Sequence, residues 1–312
     1  MLQRTKALLL VLLLLLTLGS AGNVSAEDAL SPETSALVFQ TDFGIKNDAV
    51  ASMKGVAFSV NPNLKIFDLT HDITPFDIWE GAYWLNGVAA YWPKNTVFVS
   101  VIDPGVGTER KSVVLKTKTG QYFVSPDNGT LTLVAENYGI EEVREIDEAV
   151  NRLKDSEKSY TFHGRDVYAY TGARLASGAI RFEEVGQKLP NEVFKIEYQK
   201  PELKDGALYG IVTVIDQPYG NIWTSLSREL FDEAGIQLGD MLDVSISNEG
   251  NEVYKAKVPY VETFGKVEEG QPLCYMNSEL KAAFAINMGN FSEDNKVNSG
   301  FNWVVKISKA EQ

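Results

Sequence analysis

From residue 36 to about residue 186, short β-branched and aromatic runs alternate with stretches of helical spacing. Segments 37–41, 65–69, 97–101 and 112–116 read as strands, and 48–59, 78–90, 130–138 and 165–177 as helices. Strands and helices in alternation build a parallel sheet covered on both faces. The expected fold class is therefore α/β, with an N-terminal doubly wound, mostly parallel sheet domain over 36–187. Ligands of such sheets sit at the carboxyl ends of the strands. Asp42, Asp68, His71 and Asp103 all fall at that edge.

Beyond Pro190 the texture changes. Segments 207–215, 241–247, 253–258, 273–276 and 303–307 read as strands, separated by turn signals such as Asn248-Glu249-Gly250-Asn251 and Glu268-Glu269-Gly270. Only 226–234 and 280–285 read as helical, and both are short. Many short strands in succession predict a smaller C-terminal antiparallel β-barrel domain over 206–312. The stretch 188–205, with Pro190, Pro201 and several charges, reads as the linker.

The first residues bear on compartment. Arg4 and Lys6 precede an unbroken apolar run over 7–16, and Val24-Ser25-Ala26 supplies small residues at both cleavage-determining positions, the pattern of a secretory signal peptide over 1–26. The run is about half the roughly 20 residues of a spanning helix, and no cysteine follows it to carry a lipid. The expected protein is exported, periplasmic or secreted, without a stable membrane anchor. Cleavage after Ala26 would leave 286 of the 312 residues, with 27 basic against 42 acidic side chains and a net charge of −15. Such a surface repels nucleic acid and anionic lipid and suits a small neutral or cationic ligand. Cys274 is the sole cysteine, which excludes an internal disulfide and a thiolate metal cluster.

Four segments carry candidate chemistry. In 102–110, the apolar run Val97-Phe98-Val99-Ser100-Val101 opens into Ile102-Asp103-Pro104-Gly105-Val106-Gly107, with Arg110 beyond, a strand end built to meet a ligand. In Thr41-Asp42-Phe43-Gly44, the carboxylate can accept both hydrogen bonds of a ribose diol. Two other readings of Asp42 stay open: a helix cap, or part of a metal site, since the segment partly resembles the calcium-binding aspartate cluster of nucleoside hydrolases, from which Phe43 and Asn47 depart. His71, one of two histidines, reads as an acid/base group or as a residue that satisfies a turn, and Phe76 as an aromatic face for a ligand or a core residue. Phe162-His163-Gly164 lets the backbone approach a ligand at Gly164. In 214–224, Asp216, Tyr219, Asn221 and Trp223 combine a carboxylate for an ammonium, an amide for an adenine edge and two aromatics for stacking.

In this order the segments resemble the S-adenosyl-L-methionine (SAM) hydroxide adenosyltransferases, adenosine-forming SAM hydrolases related to the fluorinase and chlorinase enzymes. The resemblance runs from about residue 36 to the C-terminus. It implies hydrolysis of SAM to adenosine and L-methionine by water or hydroxide attacking the ribose C5′. It further implies no metal or other cofactor, and a homotrimer whose sites lie between one subunit's large domain and its neighbour's small one. By the same resemblance Asp103, Arg110 and His163 form the catalytic set and Asp42 holds the ribose diol. Asp216 and Ser278 hold the methionine amino end, and Tyr219, Asn221 and Trp223 line the adenine side. Asp103 stands where the fluorinase has a tyrosine and Gly164 where it has the halide-binding serine; a carboxylate at the nucleophile position repels halide and favours water. Glu279 stands where the fluorinase has an arginine near the substrate carboxylate. A calcium-dependent nucleoside hydrolase and a non-catalytic exported module that captures a nucleoside are the readings from other classes.

Overall fold

The alternation 36–186 becomes a six-stranded sheet in the computed structural model, which describes residues 35–311. Its elements are β1 (Ala36–Thr41), α1 (Ala49–Val60), β2 (Lys65–Thr70), α2 (Ile78–Ala89), β3 (Val97–Val101), β4 (Ser112–Thr117), β5 (Tyr122–Pro126), α3 (Thr132–Asn137), β6 (Ile140–Glu145) and α4 (Tyr170–Ala176). The strand order is β2-β1-β3-β5-β4-β6. The pairs β1/β2, β1/β3 and β3/β5 are parallel, whereas β4 runs antiparallel to both β5 and β6. The sheet is thus mixed and mostly parallel. The antiparallel edge arises from β5 and β6, which the sequence reading did not resolve.

Side chains alternate between two covered faces. Leu37, Phe39, Val97, Val99 and Val101 pack against Met53 and Ala57 of α1 and Ala173 of α4, while Val38 and Phe98 pack against Leu85 of α2 and Val134 of α3. This two-sided burial explains why β3 reads as a continuous apolar run.

The C-terminal half contains β7 (Glu202–Lys204), β8 (Ala207–Asp216), β9 (Asn221–Ser227), α5 (Arg228–Glu233), β10 (Met241–Asn248), β11 (Asn251–Pro259), β12 (Pro272–Met276), β13 (Lys281–Ile286), α6 (Phe291–Asn295) and β14 (Trp303–Lys309). Its sheet follows the order β11-β10-β14-β8-β9-β13-β12, with β7 on β8. The antiparallel sheet curls around Leu208, Ile222, Phe231, Val244 and Phe284, and its outer strands approach at one bridge between Tyr260 and Cys274. It is a curled half-barrel, the coarser form of the antiparallel β-barrel expected.

One element is corrected. Segment 280–285, read as a helix, is the strand β13. Alanine favours helices in isolation, but Ala282 and Phe284 enter one apolar cluster and Ala283 and Ala285 another. Burial with a period of two overrides the propensity. The stretch 188–205 is also tied down. Phe194 N donates to Asp127 Oδ1 (2.8 Å), Ile196 N to Thr132 Oγ1 (3.0 Å) and Tyr198 OH to Glu136 Oε2 (2.9 Å). Helix α2 meets the C-terminal sheet directly, through Trp79 Nε1 donating to the Thr213 carbonyl (3.1 Å). No helix among the described residues is long and apolar enough to cross a membrane, and the signal-peptide segment lies outside those residues.

Candidate active site

Three of the residues singled out in the sequence converge beyond the carboxyl end of β3. After the buried Ile102, the chain turns tightly through Val106 N to Asp103 O (3.2 Å) and Thr108 N to Gly105 O (3.1 Å), which returns Arg110 onto Asp103. Arg110 Nε donates to Asp103 Oδ1 at 2.9 Å, and Nη2 donates to Oδ2. This is the two-point fork that guanidinium geometry favours. The pair is nearly enclosed, with side-chain exposures of 11% for Arg110 and 5% for Asp103. Burial opposes the Arg110 charge, and Asp103 more than restores it.

His163 enters from the other side, immediately before a π-helical turn over Gly164–Ala169 that runs into α4. Such turns are frequent at functional sites. Arg110 Nη2 lies 3.3 Å from His163 Nδ1. Guanidinium only donates, so Nδ1 accepts and the imidazole proton resides on Nε2. That Nε2 is buried with no hydrogen-bond partner among the described residues. Burial holds His163 below the ordinary imidazole value, and the Arg110 charge adds to this against the opposing pull of Glu148. The histidine is neutral at pH 7.

Two residues missed in the sequence complete the cluster. Arg110 Nη1 donates to Ser112 Oγ (3.2 Å), which lies 3.0 Å from Tyr168 OH, and the Arg110 Cζ stands 5.7 Å from the Tyr168 ring centroid. Neither carried a sequence signal, since Ser112 begins a strand and Tyr168 sits within an apolar helical run.

Asp42 follows β1 on the same sheet edge. Its Oδ2 accepts from Phe76 N at 2.9 Å. Burial raises its pKa against that hydrogen bond, and the Asp103 charge adds to the rise. The helix-cap reading does not hold, because Asp48 occupies the N-cap of α1. Phe76 contributes its backbone N–H to Asp42, while the residue as a whole is 70% exposed. Among the described residues, no group of three or more His, Cys, Asp or Glu side chains is arranged to hold a metal ion.

The remaining candidates line a second concavity of about 760 Å³ in the C-terminal half, which includes Asp216, Tyr219, Asn221, Trp223 and Ser278. Asp216 ends β8 and Asn221 begins β9, so the two face each other across a hairpin, with Asn221 Nδ2 donating to Asp216 Oδ2 (3.2 Å). No hydrogen bond joins this group to Asp103, Arg110 or His163 among the described residues. Glu279 is engaged elsewhere, its Oε2 accepting from Tyr83 OH at 2.7 Å.

The N-terminal domain of the SAM hydroxide adenosyltransferases matches residues 37–186, and the C-terminal domain of that family matches residues 210–304. The chain belongs to this family. Among its relatives, the (R)-S-adenosyl-L-methionine hydrolase of Methanocaldococcus jannaschii is 38% identical over 78% of this chain and 85% of its own length. A fluorinase of Actinoplanes sp. is 30% identical over 88% of this chain and 97% of its own. A crystal structure of an uncharacterized conserved protein from Thermotoga maritima, 34% identical, superposes with a TM-score of 0.78 and covers 88% of this chain and all of the other. The relatives therefore include both SAM hydrolases and fluorinases.

Proposed function

We propose that this protein hydrolyses SAM to adenosine and L-methionine, and that the Asp103–Arg110–His163 cluster carries the reaction. In that reaction the C5′–S bond breaks, its electron pair passes to sulfur, and a water oxygen forms the new C5′–O bond. Sulfonium plus water gives adenosine, methionine and one proton. A sulfonium is already a good leaving group, so the protein's task is to align the water and strip its solvation, and no cofactor enters. Asp103 accepts a hydrogen bond from the water and takes up its proton. Arg110 fixes the carboxylate, and neutral His163 supplies an Nε2–H to the same network. Asp42 holds the ribose diol and Phe76 offers its exposed ring. The hairpin group receives the rest of the substrate, with Asp216 and Ser278 on the amino end and Tyr219, Asn221 and Trp223 on the adenine.

The reading extends to assembly and address. The Asp103 cluster and the Asp216 concavity belong to different sheets of one chain, which fits a homotrimer whose site joins one subunit's N-terminal α/β domain to its neighbour's C-terminal β-barrel. The acidic surface suits a substrate carrying sulfonium and ammonium charges. Residues 1–26 address the protein for export.

The observation that carries the proposal is the enclosed Asp103–Arg110 fork with His163 on its flank. Incubation with SAM, with and without chelator and chloride, followed by chromatography, tests it. Adenosine and methionine in equal amounts, insensitive to chelator, are expected. A 5′-halo-5′-deoxyadenosine, free adenine, or tight binding without methionine release overturns it.

A further inference from the structure

We propose that His71 is a positioning residue that fixes the Asp42 turn and thereby sets recognition of the ribose diol; this rests on the reading of Asp42 given above. His71 follows β2, is only 5% exposed, and takes no part in the catalytic cluster. Its Nδ1 lies 2.8 Å from Thr41 Oγ1, and its Nε2 lies 3.0 Å from Asp68 Oδ1. Phe43 N donates to the same Thr41 oxygen at 3.2 Å. The Asp68 carboxylate only accepts, so Nε2 carries the imidazole proton and donates it there, which leaves Nδ1 to accept the proton of the Thr41 hydroxyl. The second oxygen of Asp68 accepts from Lys54 Nζ at 2.6 Å.

His71 holds the turn through its backbone as well, because Gly44 N donates to the His71 carbonyl at 2.7 Å. Residues 41–44 are therefore clasped from both the side chain and the main chain of one residue. Two functional elements leave that turn. Asp42 accepts from Phe76 N. The Phe43 ring lies against Gly164, beside His163, so closely that a β-carbon there would stand 3.1 Å from it. A displaced turn would misplace the Asp42 carboxylate first.

Two amide substitutions divide the two contacts of the imidazole. In His71→Asn the amide oxygen stands near the position of Nδ1 and retains the Thr41 contact; in His71→Gln the amide reaches the position of Nε2 and retains Asp68 alone. The readout is the ratio of affinities for adenosine and 2′,3′-dideoxyadenosine, measured by calorimetry. A general loss of stability lowers both affinities and leaves their ratio alone. The expected result is a ratio near the unsubstituted value in His71→Asn and about tenfold or more lower in His71→Gln, the size of one hydrogen bond to a charged group. Thr41→Val, which removes the hydroxyl at nearly constant volume, should lower the ratio equally and serves if the glutamine variant fails to fold. An unchanged ratio in both His71→Gln and Thr41→Val overturns the proposal alone. Absence of any diol preference in the unsubstituted protein overturns the reading of Asp42 and the proposal with it.

Discussion

Arg110 contacts Asp103, His163 and Ser112 through the three nitrogens of one planar group, with Nη2 shared between Asp103 and His163. A lysine ammonium cannot reproduce that fork, so Arg110→Lys should lower kcat while adenosine binding persists. Asp103→Asn should lower turnover by about 10²–10⁴, the usual contribution of a positioned acid/base group. Adenosine affinity measured in the same variant should stay near the original, and a parallel loss would assign Asp103 a structural role. His163 gives a pH signature. Its folded value lies below the ordinary imidazole value of about 6.5, so activity should be flat through neutrality and decline on the acid side. The unfolded chain takes the proton first on acidification. Stability is therefore intact above about 6.5 and falls as pH drops from there toward the lowered folded value, which denaturation midpoints across a pH series would register. Asp103 and Arg110 were legible as a ligand-facing strand end with its glycines, whereas their grouping with His163 came only from the family resemblance. Ser112, Tyr168 and the Thr41–His71 clasp were not legible, because each depends on a partner far along the chain and carries no local turn or spacing signal.

At the level of elements, the hairpin joining β8 to β9 forms one wall of the second concavity. Gly220 in its turn has φ +72°, and a β-carbon there would lie 1.8 Å from Asn290 Oδ1. Asn290 cannot yield easily, because that oxygen accepts from Glu293 N to cap α6, while Ser292 N donates to the Gly220 carbonyl. Gly220→Ala should destabilise the protein by about 2 kcal/mol or more, read from the urea midpoint, since the left-handed backbone alone costs 1–2 kcal/mol. The N-terminal alternation was legible because β1 and β3 are buried on both faces and interrupted by amphipathic helices. Strands β6 and β9 were less so. The former, Ile140–Glu145, is rich in charge, and the latter alternates around a turn whose residues read first as ligand groups. The β13 strand was misread because its alanines declare propensity, whereas their partners declare burial.

For the whole molecule, the expected trimer makes mass and activity a joint measurement. Light scattering should report about three chain masses, and activity per subunit should fall on dilution below the dissociation constant of the assembly. A fully active monomer would sink the shared-site reading. Intact mass of material exported from cells should match a chain beginning at Glu27, and an uncleaved N-terminus would overturn the signal-peptide expectation. Contacts of helix α2 with the C-terminal half were invisible in the sequence, because Trp79 to Thr213 and Tyr83 to Glu279 join positions with no local relation. The last of these has an evolutionary consequence. Tyr83 is kept protonated by burial and by the charge of Glu279, and its hydroxyl donates a hydrogen bond to that carboxylate. A lineage that replaces the acid at 279 with a base removes that acceptor and leaves the Tyr83 hydroxyl proton without its partner. Drift at the two positions should therefore be joint, and related sequences that carry arginine at 279 should have lost the tyrosine at 83.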